Sequence, residues 1–141
     1  MTKLITIMSL VVLVSCSKEF VLQESAGLDN FTCPSNENCL SSKEKAKSNN
    51  YIMPFKMLAA TGDENIELVE KVLAKIGDYK VNRVENYIKA TSQKVQLEFL
   101  INQKKKVIEV RSQVIKHGFF SYDQGRKEIE LVRFNLFQGN Y

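Results

Sequence analysis

Histidine occurs once in this 141-residue sequence and cysteine three times. A zinc ion held by Cys33 and Cys39 would need two further ligands, and only His117 offers the usual nitrogen. There is no Gly-x-Ser-x-Gly elbow, no phosphate-binding glycine loop and no His/Glu zinc motif. The short signatures of hydrolases, nucleotide binders and metalloproteases are therefore missing. Internal repeats are absent too. Neither sign of charge dominates: 20 Lys and Arg stand against 16 Asp and Glu, a formal net charge of +4 spread along the chain. That balance gives no basic stripe for nucleic acid. It suits a surface near anionic lipid without requiring one. No apolar run reaches the roughly 20 residues of a membrane-spanning helix. Nucleic acid, metal and cofactor are all expected to be absent from its function.

What the sequence has in abundance comes first in the chain. Lys3 is followed by an uncharged apolar run from Leu4 to Val14, then by Ser15 and Cys16. A short positive region, an apolar region of this length and a small residue before the cut are the three parts of a secretory signal. The order Leu13-Val14-Ser15-Cys16 resembles the lipobox of bacterial lipoproteins. It implies cleavage before Cys16 and acylation of that cysteine, with palmitate among the chains. One myristoyl chain, at about 0.8 kcal/mol per buried methylene, binds only marginally; several chains retain a protein at the bilayer. The competing reading is an ordinary cleaved signal that leaves Cys16 unmodified. The expected location is the bacterial cell envelope, outside the cytoplasm, with the membrane held through the lipid on Cys16. Ser17 leans towards the outer membrane.

Residues 1–15 are thus read as a lipoprotein signal peptide and 16–31 as a lipidated N-terminus and flexible tether. Residues 32–141 form one globular domain, long enough to bury a real core. In an oxidising compartment Cys33 and Cys39 make an even pair, separated by a polar stretch with Pro34. A structural disulfide is the favoured reading and two free thiols the second. Five intervening residues is not the redox Cys-x-x-Cys spacing.

Residues 40–50 are hydrophilic and read as a solvated loop. Residues 51–57 are a short extended apolar piece that Pro54 confines to an edge. Thr61 and Glu64 make a candidate capping box for a helix over about 63–76. Ile66, Val69, Leu73 and Ile76 share its inner face, and Gly77 stands at the C′ position. The period then drops to two. Strands follow at 79–84 and 87–92, with a turn at Glu85 and Asn86. Next comes a cleaner hairpin in which Val95, Leu97, Phe99 and Ile101 alternate with Gln96, Glu98 and Asn102. Ile108, Val110, Ser112 and Val114 alternate with Glu109, Arg111 and Gln113 on its return arm. This predicts one buried and one wet sheet face. A second helix, from about Asp123 as a cap to Phe137, has Ile129, Val132 and Leu136 as its inner line. Phe134 and Phe137 are expected to widen it. The resulting fold class is α+β: a two-layer sandwich with a four- to five-stranded antiparallel sheet and two helices on one face, in the order helix, four strands, helix.

Several segments together carry a family resemblance. They are Cys33-Pro34-Ser35 with Asn38-Cys39-Leu40-Ser41-Ser42, then Tyr51-Ile52 with Pro54, Tyr87-Ile88 with Ala90, and Leu97-Glu98-Phe99. Val110-Arg111-Ser112 and Arg126-Lys127 with Ile129-Glu130 complete the set. In that order the chain resembles the domain of unknown function 1499 family, over roughly residues 31–137. The resemblance implies an exported or lipid-attached domain and brings no established activity. Val95 and Gln96 stand where that family tends to carry an acidic pair. Gln113-Val114-Ile115 replaces the rest of its Arg-Ser-x-Ser-Arg pattern, and a Gly-x-Asn is replaced around Asp123 to Gly125.

Arg111, Ser112 and Arg126 are the candidate ligand-binding residues. Guanidinium groups converging on one place would bind a carboxylate or phosphate in bidentate fashion. The competing reading pairs each arginine with a nearby glutamate such as Glu98, Glu109 or Glu130 on a solvated face. No complete catalytic set is evident. Ser112, His117 and Asp123 can be written as a triad, but no flanking motif supports them. A non-catalytic binding or interaction module at the membrane surface is expected, with an envelope protein as partner. The alternative is a small envelope enzyme, or a binder of an anionic or amphipathic ligand, using the region of Arg111, Ser112 and His117.

Overall fold

The computed structural model describes residues 31–34, 38–115 and 123–141. The signal-like segment, Cys16, the expected tether up to residue 30 and His117 lie outside the described residues. In chain order the elements are β1 (Cys39–Ser41), β2 (Phe55–Lys56), α1 (Gly62–Ile76) and β3 (Lys80–Val84). They continue with β4 (Tyr87–Thr91), β5 (Val95–Asn102), β6 (Val107–Val114) and α2 (Gln124–Gln138). The fold is α+β. Among the described residues, six strands form one antiparallel sheet in the order β1-β6-β5-β4-β3, with β2 also pairing β6.

The sheet has more strands than the four to five expected. Four of them, β3 to β6, follow from the period of two in the sequence. The additional ones have another origin. β1 begins the hydrophilic stretch expected to be loop, and β2 follows Pro54. Both lie along the outer edge of β6, at Arg111 to Gln113 and at Val107 to Ile108 respectively. A sheet edge offers unpaired backbone groups. The hydrophilic β1 satisfies them without any apolar periodicity of its own, and β2 lies in the extended apolar piece that Pro54 is expected to confine to an edge.

Helix α1 starts where the capping box places it. Thr61 Oγ1 accepts from the Glu64 amide at 3.2 Å, and the Glu64 carboxylate accepts from the Thr61 amide at 3.1 Å. Asp63 and Glu64 lie in the first turn and Lys75 in the last, matching the helix dipole at both ends. Gly77 follows the helix, but its backbone is extended rather than left-handed, so it does not supply the expected C′ geometry. Helix α2 ends instead on such a glycine. Gly139 has φ 67°, and the Asn140 and Gly139 amides reach back to the Asn135 and Leu136 carbonyls at 3.0 and 3.3 Å, a Schellman motif. At the other end of α2, Asp123 makes no side-chain capping bond, contrary to expectation.

The two helices and one sheet face share a continuous core. Ile66, Val69, Val72 and Leu73 of α1 join Ile129, Val132 and Leu136 of α2 against Ile88, Leu97, Phe99, Ile108 and Val110. Burying each such side chain contributes about 1.5–3 kcal/mol. Phe55 and Phe99 meet with ring centroids 6.0 Å apart. Phe134 and Phe137 are not part of this core; they are 59% and 49% exposed. At 100° per residue Phe134 falls roughly opposite the line of Ile129, Val132 and Leu136, which is already filled. Arg133 clamps β2 to α2: its guanidinium lies 4.5 Å from the Phe55 ring centroid and donates to the Met53 carbonyl at 2.6 Å.

The second sheet face is not wet at its centre. Glu98, Asn102 and Glu109 lie on it and are each at most 3% exposed. Phe31, at the far end of the expected tether, is fully buried.

Asn65 is a further buried polar residue, and it fastens the loop before α1. Its Oδ1 accepts from the Leu58 and Ala59 amides at 2.7 and 3.1 Å, and its Nδ2 donates to the Ala59 and Thr61 carbonyls. Asn65→Ala removes all four bonds and strands backbone groups. It is expected to cost about 3 kcal/mol, since unmet buried partners cost 1–3 kcal/mol apiece. Asn82→Ala, on exposed β3, should stay within about 0.5 kcal/mol of wild type. Urea denaturation midpoints for the two variants test this; equal midpoints would contradict the role given to Asn65.

Candidate functional site

Consecutive residues of a strand point to opposite faces, and β6 places Arg111 and Ser112 accordingly. Arg111 lies on the second face, directly across from Glu98 of β5. Its Nε donates to Glu98 Oε2 at 2.6 Å and its Nη2 to Glu98 Oε1 at 2.8 Å, a bidentate pair. Tyr87 donates its hydroxyl to Glu98 Oε1 at 2.5 Å. Arg111 Nη1 donates to the Thr32 carbonyl at 2.9 Å, and the guanidinium stacks 5.0 Å from the Phe31 ring centroid. All three guanidinium nitrogens are thus engaged within the protein, so Arg111 is a structural tie rather than a ligand donor. The reading that paired it with Glu98 describes it correctly, but Glu98 is buried and Arg111 half-buried rather than both being solvated.

The residues over this pair form a strap. Cys33 and Cys39 are bridged by a disulfide with their Cα atoms 5.7 Å apart, which joins the strap to β1. Ser41 Oγ donates to the Phe31 carbonyl, and the Cys33 amide donates to Glu44 Oε1 at 2.8 Å. Beside it lies a second buried polar group, around Glu109, which the sequence reading placed on a solvated face as an arginine partner. Glu109 accepts from Ser42 Oγ at 2.6 Å and from Asn102 Nδ2 at 3.1 Å, with Lys43 Nζ at 4.0 Å. Its only sequence signal was the alternation that places Asn102 and Glu109 on one face.

Electrostatics follow from this burial. Desolvation pushes the Glu98 carboxyl up, but the hydrogen bonds from Arg111 and Tyr87 outweigh it and hold the group below its ordinary value. Burial, reinforced by the hydrogen bond to Glu98, raises the Tyr87 hydroxyl well above its ordinary value.

Ser112 and Arg126 lie on the other side of the sheet. Ser112 is paired across the strands with Leu97 and Leu40 and is fully buried. Among the described residues, its hydroxyl is the buried side-chain group with no hydrogen-bond partner. A Cβ added at Gly125, in the first turn of α2, would stand 2.5 Å from that oxygen. The hydroxyl therefore faces bare helix backbone. Arg126 is the next residue, exposed, with Nη2 donating to the Tyr51 carbonyl at 3.2 Å. A cleft of about 60 Å³ opens here, with Asn38, Asn49, Asn50, Asp123, Gly125 and Arg126 among its walls. The three candidate residues thus divide: Ser112 and Arg126 flank one helix end, and Arg111 is spent on the opposite face. His117 and Cys16 lie outside the described residues. Among the described residues no three His, Cys, Asp or Glu side chains gather as a metal site.

A family model described as Protein of unknown function (DUF1499) matches residues 31–133, nearly the whole described domain. No curated protein and no solved structure matches the chain.

Because Glu98 titrates lower when folded, its stabilisation is complete above the ordinary carboxyl value of 4.5 and is lost as pH falls below it. Glu98→Gln should destabilise the domain by about 1–3 kcal/mol at neutral pH, leaving the half-buried Arg111 without its charged partner. The same variant should show a shallower loss of stability in acid. Replacing both residues, Glu98→Leu with Arg111→Met, should recover much of the deficit. Denaturant titrations between pH 3 and 7 provide the check. Wild-type stability at pH 7 together with an unaltered acid branch in Glu98→Gln would rule the assignment out.

Proposed function

The chain belongs to the DUF1499 family, and because that membership brings a domain without an activity, we propose a function from the chain's own residues. It is an exported protein of the bacterial cell envelope, anchored by lipid on Cys16, whose folded domain acts as a non-catalytic binding module at the membrane surface. The observation that carries this reading is Leu13-Val14-Ser15-Cys16 at the end of an uncharged apolar run. The bridge between Cys33 and Cys39 supports it, because disulfides persist in oxidising compartments and are rare in the cytosol. Among the described residues no helix is long and apolar enough to cross a membrane. The anchor assigned here needs none.

Binding is favoured over catalysis by the state of the polar groups. A serine nucleophile needs a base within hydrogen-bond reach, and among the described residues Ser112 Oγ has no hydrogen-bond partner. Arg111, a second residue of the alternative enzyme reading, is tied to Glu98 and Thr32, and the third, His117, lies outside the described residues. The partner class is an envelope component, a protein or a small ligand, met outside the cytoplasm. Ser17 after Cys16 favours the outer membrane.

Labelling cells with a palmitate analogue tests the anchor. Wild-type protein should incorporate label and Cys16→Ala should not; equal incorporation in both would refute lipidation at this residue. Alkylation of the mature protein without reductant should leave Cys33 and Cys39 unmodified, and two alkylated thiols by mass would refute the bridge in cells.

A further inference from the structure

We propose that the flank of the domain where β2 meets the C-terminal half of α2 rests on an anionic membrane surface. Met53, Phe134 and Phe137 enter the headgroup layer there, and Lys56 and the lysines at 104–106 lie against lipid phosphates. This deepens the membrane-surface role proposed above and rests on it, since it names the face that the domain turns to the bilayer.

The apolar part comes from both elements. Arg133 donates to the Met53 carbonyl at 2.6 Å, which sets Met53 against α2. Phe134 is the next residue of the helix, and Phe137 lies one turn beyond Arg133 on the same side. Met53 is 64% exposed, beside the half-exposed Phe134 and Phe137. Single exposed apolar residues need no explanation, but a group of them with a polar rim marks an interaction site.

The basic part adjoins it through β2. Lys56 pairs with Val107, and the Met57 amide donates to the Lys106 carbonyl at 3.3 Å. These contacts bring the tip of the β5–β6 hairpin, with exposed Lys104, Lys105 and Lys106, next to exposed Lys56. Among the described residues none of these four lysines forms an ion pair with a carboxylate. Glu130, the acidic residue on this flank of α2, is paired with Arg133 at 2.9 Å.

Two observations select a bilayer over a protein or a second copy of the chain. Lysine is depleted from protein interfaces, whereas phenylalanine bordered by lysine is the composition of surfaces that lie in the lipid interface. The chain also arrives at this same edge. The strap is bridged to β1, and β1 and β2 both pair along the outer edge of β6, at Arg111 to Gln113 and at Val107 to Ile108, within roughly 20 Å of each other. Phe31 lies fifteen residues after Cys16, a span of at most about 50 Å. An anchor at Cys16 therefore reaches a membrane lying under this flank.

The test uses the full-length chain reconstituted in vesicles, with a benzophenone amino acid in place of Phe134 or Phe137. A third version carries it in place of Val84, which is exposed on β3 at the opposite edge of the sheet. In vesicles containing phosphatidylglycerol, irradiation should give lipid adducts at 134 and 137 and at least fivefold fewer at 84. Pure phosphatidylcholine should lower the adducts at 134 several-fold. Lys104→Gln with Lys105→Gln should lower them at least tenfold, as each lysine near an anionic surface strengthens docking about fivefold. Both lysines are exposed, so the double variant should keep its melting temperature, which separates lost docking from lost folding. Equal adducts at 84 and 134, no adduct at 134 and 137, or a yield unchanged by lipid charge or by the lysine substitutions overturns the proposal. Crosslinks between copies at 134 in place of lipid adducts would assign this face to a second copy and overturn it too. Absence of palmitate at Cys16 with the adducts at 134 retained would refute the anchor and leave this face standing. A labelled Cys16 with equal adducts at 84 and 134 would do the reverse.

Discussion

The alternation of side chains along β6 keeps two incompatible chemistries apart. Ile108, Val110 and Val114 face the helices with Ser112 among them, while Glu109 and Arg111 face the other way. The strand is paired on both sides, with β5 along its length and with β1 and β2 on the outer edge. Its register therefore cannot slip without driving charge into the apolar core. The helix packing, the strap and the cleft at α2 all take their positions from this strand.

The second face shows what is needed to hold a partly buried ion pair. Removing a guanidinium and a carboxylate from water is costly, and mutual attraction offsets that only when geometry and further hydrogen bonds are good. Arg111 and Glu98 meet both conditions, through two charge-assisted bonds to each other, one bond to the Thr32 carbonyl and one from Tyr87. Phe31 then covers one face of the guanidinium, 5.0 Å from its ring centroid. Such an arrangement contributes less to stability than apolar packing of the same volume. It does prescribe which backbone segment must lie across the sheet, because only a free carbonyl at Thr32 completes it.

Much of the fold was legible in the sequence, and each lapse has a physical cause. Thr61 with Glu64 located α1, because a capping box combines a backbone conformation with two reciprocal bonds. The period of two located β5 and β6. The same method missed β1, since Cys39 to Ser41 joins the sheet through backbone groups and its side chains carry no apolar rhythm. Phe134 and Phe137 were assigned inward from hydrophobicity alone, although helical geometry turns Phe134 to solvent. For the candidate site, Arg111 and Ser112 could never have converged, being neighbours in a strand. The juxtaposition of Ser112 with Gly125 and Arg126 depends on how α2 docks, which no local pattern encodes. The pairing of Cys33 with Cys39 was favoured from composition and compartment, but the strap it fastens was not foreseen.

The position of that strap has a mechanical consequence. Any pull on the N-terminal side of the chain reaches the folded body at Phe31, passes Thr32 and arrives at Cys33. There the disulfide shunts the load to Cys39 and so into β1, whose hydrogen bonds to β6 run antiparallel along three residues. Tension is therefore divided between a covalent crosslink and the Arg111 clamp on Thr32. A pull from that end therefore meets its reinforcement where it enters the folded body, and the helices across the sheet are spared the strain.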